Sequence, residues 1–211
     1  MSYRTVRESG SSEIIVKNSR FIATVLPAAT KAAALDSIED IRRRYRKAQH
    51  NVFAFTVGTE NMITQCSDDG EPAGTAGPVV LEMLRKVALL NTVIIVTRYY
   101  GGTLLGAGGL IRAYGRAAKL GIAAAEIIRN VRHQAHSLEF AYTFLGQIGN
   151  YLRNRSYPIV AVNYTARVEM DVLVPAARAH EFRTEIDELT GGQIKIGAQG
   201  VVYLACPDGI E

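Results

Sequence analysis

The chain has 211 residues, of which 48% are hydrophobic and 21% charged, with a formal net charge of +4. That balance suits one large domain or two small ones and excludes disorder, collagen-like repeats and coiled coil. The uncharged runs Val87–Thr97, Tyr99–Ile111 and Phe140–Leu152 fall well short of the roughly 20 apolar residues of a membrane span. The N-terminus lacks an apolar signal core, and Cys66 and Cys206 stand too far apart in sequence to suggest a disulfide framework. These features predict a soluble, cytoplasmic protein without a membrane segment.

In chain order, Ser19–Leu26 predicts a short strand ended by Pro27. Lys31–Lys47 carries Leu35, Ile38, Ile41 and Tyr45 at helical spacing, with Thr30 as N-cap. Asn51–Val57 and Asn61–Ser67 read as two strands of a hairpin, and the breaker-rich DDGEPAGTAGP that follows as a loop. Val79–Leu90 predicts a helix, and the β-branched run Thr92–Thr97 a strand buried on both faces. The glycines of Gly101–Gly109 lead into a second long helix reaching about Ile128, with Gly108 expected in the turn that feeds it.

The remaining rhythm is different. Ser137–Phe144 reads as a strand, Gly146–Arg155 as a helix, and Ile159–Thr165 and Arg167–Val174 as strands. Pro175 suits position N1 of a helix faced by Phe182, Ile186 and Leu189 and stopped by Gly191–Gly192; Gln193–Leu204 is a last strand. This is the order βαββαβ, the ferredoxin-like split motif. The polar run RNVRHQAH at 129–136 is expected to link two domains, 1–130 and 131–211. Residues 1–130 hold 17 Lys+Arg against 11 Asp+Glu and residues 131–211 hold 7 against 9, so the positive excess lies wholly in the first part.

Two clusters carry possible chemistry. In Ser67-Asp68-Asp69-Gly70-Glu71-Pro72, the carboxylates Asp68, Asp69 and Glu71 suit a hard cation, or equally a solvated turn. The spacing fails the EF-hand pattern. From Thr97 to Gly109, a buried strand gives way to a helix, a place where free N–H groups favour an anion. Neither a Walker loop nor a dinucleotide fingerprint fits, because Ala107 and Gly108 stand where Lys and Ser/Thr are needed, and Ile111 where Gly or Ala is needed. Arg98 and Arg112 suit a phosphate or RNA backbone, and Tyr99, Tyr100 and Tyr114 suit base stacking or partial burial. In Arg42–Lys47, Glu39 and Asp40 stand four residues before Arg43 and Arg44 and are expected to pair with them. His133 and His136 lack further ligands at zinc spacing, and the acidic loop beside Cys66 is expected to raise its thiol pKa.

Read together, SDDGEPAGTAGP (67–78), VTRYYGGTLLGAGGLIRAYGRA (96–117) and KAQHNVFAF (47–55) resemble the IMPACT/YigZ family over residues 15–128, and the tail resembles the extra C-terminal domain of its bacterial members. The resemblance implies an α+β architecture. The first domain would have the fold of the second domain of a small-subunit ribosomal protein. The second would be a ferredoxin-like domain similar to the last domain of the translocating elongation factor. Family-motif positions here include His50, Asp68, Asp69, Glu71, Arg98, Tyr99, Tyr100, Gly101, Gly102, Gly106, Gly108, Gly109, Arg112 and Tyr114. Eukaryotic members act in translational control through a partner of a starvation-sensing kinase, using an additional N-terminal domain. This chain opens on the family core, so that partner is not carried over.

The leading expectation is a non-catalytic protein that binds RNA, the ribosome or protein partners of the translation machinery, with no cofactor. The alternatives are a metal-dependent hydrolase of a phosphorylated small molecule, with Asp68, Asp69 and Glu71 around the ion and His50 as base, and a protein-interaction module. An enzyme requires the carboxylates to converge in one concave pocket. An RNA binder requires Arg98, Arg112 and the Arg42–Lys47 side chains to share an exposed face.

Overall fold

The computed structural model of the chain describes residues 2–207. The fold is α+β, with antiparallel sheets and five α-helices, and divides into two compact units, residues 3–129 and 130–205.

In the first unit a five-stranded sheet runs in the order β2-β3-β6-β4-β5, formed by β2 (Gly10–Val16), β3 (Ser19–Pro27), β4 (His50–Val57), β5 (Ile63–Ser67) and β6 (Thr92–Tyr99). Every pairing in it is antiparallel. β1 (Tyr3–Glu8) inserts Val6 into the core. Neither β1 nor β2 was legible in the polar start of the sequence. The β2–β3 turn is the pair Lys17-Asn18, with φ of 45° and 65°, the left-handed geometry that matches hairpin twist.

Alternation along the central strands separates two cores. Val52, Ala54, Ile94 and Val96 face α2 (Gly77–Lys86) and α3 (Ala107–Ala123), whereas Phe53, Phe55, Val93 and Ile95 face α1 (Lys31–Arg44). β6 is therefore buried on both sides, as its β-branched run predicts. Thr30 caps α1 by accepting from Ala33 N at 3.2 Å. The helix stops at Arg44, and α3 stops at Ala123 rather than near Ile128, because Glu126 already begins the next strand.

That strand is β7 (Glu126–Phe140). The run 129–136 is thus not a linker: it lies within a regular strand whose residues 133–140 pair with β9 (Val168–Pro175). In the second unit α4 (Leu145–Asn154), β8 (Ile159–Tyr164), α5 (Ala179–Thr190) and β10 (Lys195–Pro207) complete the order βαββαβ. The strands lie in the order β10-β7-β9-β8, the ferredoxin-like arrangement. Leu138, Phe140, Met170 and Val172 pack under Ile148, Leu152, Phe182 and Ile186 of the helices. Pro175 ends β9 instead of opening a helix, since a short 3-10 turn at 176–178 precedes α5. Gly191, at φ 60°, caps α5 in the left-handed conformation.

Candidate functional site

The loop between β5 and α2 is held by its three carboxylates, each in a different direction. Asp68 Oδ1 accepts from Ala76 N at 2.9 Å and Gly77 N at 2.8 Å, and its Oδ2 accepts from Gly74 N at 2.9 Å. It therefore satisfies N–H groups at the start of α2, where a negative charge also meets the positive end of the helix. Asp69 turns the other way: its Oδ2 accepts from Asn51 N at 2.6 Å and its Oδ1 from Arg42 Nη2 at 3.0 Å. His50 Nδ1 lies 2.7 Å from the Asp69 carbonyl oxygen. Asp69 and Gly70 make this reversal with φ of 45° and 87°.

Glu71 points into the protein. Its side chain is 3% exposed, and Oε1 accepts from Arg98 Nη1 at 2.6 Å and from the Tyr114 hydroxyl at 2.7 Å. His50 Nε2 is 3.9 Å away. Arg98 donates its second terminal nitrogen to Ser19 Oγ at 3.3 Å, and its guanidinium sits over the Phe21 and Tyr100 rings at 5.4 and 5.6 Å. Arg98 Nε is buried without a partner among the described residues. Burial and the bond to Glu71 hold the Tyr114 hydroxyl protonated far above its ordinary range. Tyr114 meets Phe21 edge-on at 5.2 Å, so it is a core residue with one polar tip and not a base-stacking platform.

These partners come from β3, β4, β6, the loop and α3. The structure thus brings Glu71, Arg98 and Tyr114 together as a buried network, sets the half-buried His50 and Asp69 beside it, and sends Asp68 to α2. Asp68, Asp69 and Glu71 do not converge, and among the described residues no three His, Cys, Asp or Glu side chains form a metal-ligand group. The metal arrangement considered from the sequence is therefore not the geometry found. Arg98 is equally unsuited to an external phosphate, because its side chain is 6% exposed and ion-paired.

Arg42 and Arg43 do pair locally, but with Glu39 and Asp40 at i,i+3 spacing rather than with the partners expected. Arg42 was missed as a site residue: its link to Asp69 joins positions 27 apart, beyond any local pattern. Cys66 has its pKa raised by burial and then by Asp68, as the acidic loop predicts.

The glycine segment spreads over a loop and a helix. Tyr99 is half-buried beside the Arg20 guanidinium at 5.6 Å, and Tyr100 is 44% exposed with its N–H donating to Gln49. Gly101 passes so close to the β2–β3 turn that a Cβ there would stand 2.0 Å from the Asn18 carbonyl carbon. Gly102 and Gly106 lie in the exposed loop, and Gly106 is the residue before α3, with φ 69°. Gly108 and Gly109 are inside the first turn of α3, not in the turn that feeds it. Arg112 is exposed on that helix.

α3 also presents Arg116 and Lys119. Arg112 and Arg116 line two grooves. One, of about 340 Å³, is shared with Lys17; the other, of about 590 Å³ between α2 and α3, is shared with Lys86, Lys119, Val79, Met83 and Ile111.

Residues 17–122 match the model of the Impact N-terminal domain, and residues 138–193 match a domain of unknown function, DUF1949. The chain belongs to the IMPACT family. It is 37% identical over 203 residues to the IMPACT family member YvyE of Bacillus subtilis, covering 96% of this chain and 94% of the relative. To the family member YigZ of Escherichia coli it is 32% identical over 183 residues, covering 86% and 90%. A solved structure described as a hypothetical protein superimposes with a TM-score of 0.59 at 30% identity, covering 94% of this chain and 98% of that one. The matched Impact segment contains every residue of the buried network, from Ser19 to Tyr114.

Among the described residues no helix is long and apolar enough to cross a membrane.

Proposed function

We propose that this IMPACT-family chain is a non-catalytic, cytoplasmic protein that binds RNA or the ribosome through the outer face of α3 and thereby modulates translation. The supporting observation is a row of cations without carboxylate partners along α3, although Lys31, Arg44, Arg46, Lys47 and Arg85 elsewhere in the first unit are likewise outside any ion pair among the described residues. Arg20, Arg42, Arg43 and Arg98 are each tied to a carboxylate. Lys17, Lys86, Arg112, Arg116 and Lys119 border the two grooves along α3, and no ion pair engages them among the described residues. Positions 112, 116 and 119 recur at helical spacing on one face, which suits successive phosphates better than one compact anion. Glu82, also at the α2–α3 groove, is the acidic residue among these cations.

The test is binding to single-stranded RNA and to purified ribosomal subunits over a salt series. Each phosphate neutralised contributes a slope of about −0.7 in log affinity against log salt. Replacing Arg112, Arg116 and Lys119 by Gln should flatten the slope stepwise, while Arg43→Gln should leave it unchanged. Salt-independent binding, or none at low salt, overturns the reading.

A second reading rests on the α2–α3 groove itself, whose Val79, Met83 and Ile111 give it an apolar floor inside a basic rim. That chemistry suits an acidic amphipathic segment of a protein partner. Val79→Asp would abolish such binding and spare RNA.

A further inference from the structure

We propose that Tyr100 is a base-stacking platform, so that the α3 face takes single-stranded RNA with a base turned out of its stack and laid on this ring. The inference rests on the RNA reading above and adds to it a residue that meets bases, where the α3 cations meet only phosphates. Such binding combines an exposed aromatic ring with a cationic track. Among the described residues of the first unit, Tyr100 is the one Phe or Tyr side chain that meets the first condition. It is 44% exposed, whereas Phe21, Phe53, Phe55 and Tyr114 are buried and Tyr3, Tyr45 and Tyr99 half-buried.

Its place in the fold meets the second. Val96 and Arg98 lie on the side of the sheet that faces α2 and α3. Alternation carries Tyr100, two positions on, to that same side, where its ring meets the Arg98 guanidinium. Gly101 then passes against Asn18 of the β2–β3 turn. Lys17 of that turn lines one groove with Arg112 and Arg116 of α3. The ring and the cationic track therefore flank a single turn.

Isolated apolar groups on a surface are ordinary; Tyr100 differs in what holds it. Arg98 Cζ lies 5.6 Å from the ring centroid, and Arg98 is itself buried and ion-paired to Glu71, so the support beneath the ring is fixed. The backbone N–H of Tyr100 donates to Gln49 Oε1 at 2.9 Å. A side chain held in this way loses little rotamer freedom when a base docks. The guanidinium backs one side of the ring and leaves the exposed area for a second flat group. A duplex, whose bases stay paired and stacked, offers the α3 cations its phosphates but forgoes this contact.

The experiment titrates the intact chain with a short single-stranded RNA carrying 2-aminopurine, and with the duplex of the same sequence, over a salt series. Tyr100→Ala should weaken single-strand binding at least about fivefold, the lower end for one stacked base, and lose the 2-aminopurine fluorescence change. Its slope of log affinity against log salt should stay as in the parent chain, since no phosphate contact is removed. Tyr100→Phe should keep both affinity and fluorescence change, because stacking uses the ring and not the hydroxyl. Duplex binding should be the same with and without the ring. Tyr100 is exposed, so the variants keep their fold, and the retained salt slope verifies this in the same titration. Equal single-strand affinity in Tyr100→Ala at an intact salt slope overturns the stacking role and leaves the α3 reading standing. Absence of RNA binding at low salt removes both.

Discussion

Replacing Arg98 by Met isolates the energetic role of the buried network. The substitution retains an unbranched apolar stem between Phe21 and Tyr100 but deletes the cation 2.6 Å from Glu71 Oε1. Glu71, 3% exposed in its side chain, is then left with the Tyr114 hydroxyl and a His50 nitrogen 3.9 Å away. Breaking a buried pair by removing one partner typically costs about 3–5 kcal/mol, because the remaining charge is uncompensated. Domains have about 5–15 kcal/mol in all, so the first unit would lose about a fifth or more of its stability. Adding Glu71→Gln removes the stranded charge while leaving an oxygen for Tyr114, and should recover most of that loss. The measurement is urea unfolding of the single and double variants by circular dichroism, the chain having no tryptophan. If Arg98→Met costs less than about 1 kcal/mol, the guanidinium is not a structural counter-ion, and a role for it in contacting ligand would have to be restored.

Gly101→Ala and Gly108→Ala should act in opposite directions in thermal melts. The first forces a Cβ to within 2.0 Å of the Asn18 backbone and should cost at least about 1–3 kcal/mol, whereas the second meets only the Arg112 Nη1 at 3.7 Å and should stabilise α3 by about 0.5–1 kcal/mol. Tyr114 and Tyr151, both raised first by burial and then by a bonded carboxylate, should stay protonated until alkaline unfolding. Their contribution is complete below the ordinary tyrosine value of about 10 and is lost as pH climbs above it, so absorbance titration should show at least these two tyrosines ionising only with unfolding. His136, lowered by burial and Arg183, has the reverse sign: the stability of the second unit should fall as pH drops below about 6.5, and His136→Gln should remove that slope. Expressed alone, residues 130–211 should unfold in one cooperative transition, and a molten fragment would refute the independence of the two units.

The chemistry of single elements was legible where one residue type has one use. Thr30 as a cap, the doubly buried TVIIVT and the stop at Gly191–Gly192 follow from local rules, and the βαββαβ order follows from their sequence. The first two strands escaped because β2 buries only part of one face, leaving Ile15 68% exposed, so alternation is faint. The run 129–136 looked like a linker because histidine counts as polar, yet His133 and His136 are 6% and 2% exposed and serve as interior filling. At the candidate site, the sequence located the acidic loop but not its partners. Arg42 reaches Asp69 and Arg98 reaches Glu71 across a sheet order that no spacing reveals, and Tyr114 enters from a helix 43 positions away.

The acidic loop is anchored at three points, by Asp68 on the start of α2, by Asp69 on Asn51 and Arg42, and by Glu71 in the core, with Thr75 further bonded to the Pro72 carbonyl at 2.7 Å. Between Glu71 and Thr75, Pro72, Ala73 and Gly74 remain exposed on a backbone that has already surrendered its conformational freedom during folding. A partner docking on this rim would meet a rigid contour, and association would not have to order it, at roughly 1–2 kcal/mol for each residue so fixed. The loop's carboxylates would then act on recognition without touching the partner: they set the shape in advance, and so govern how fast and how selectively it is read.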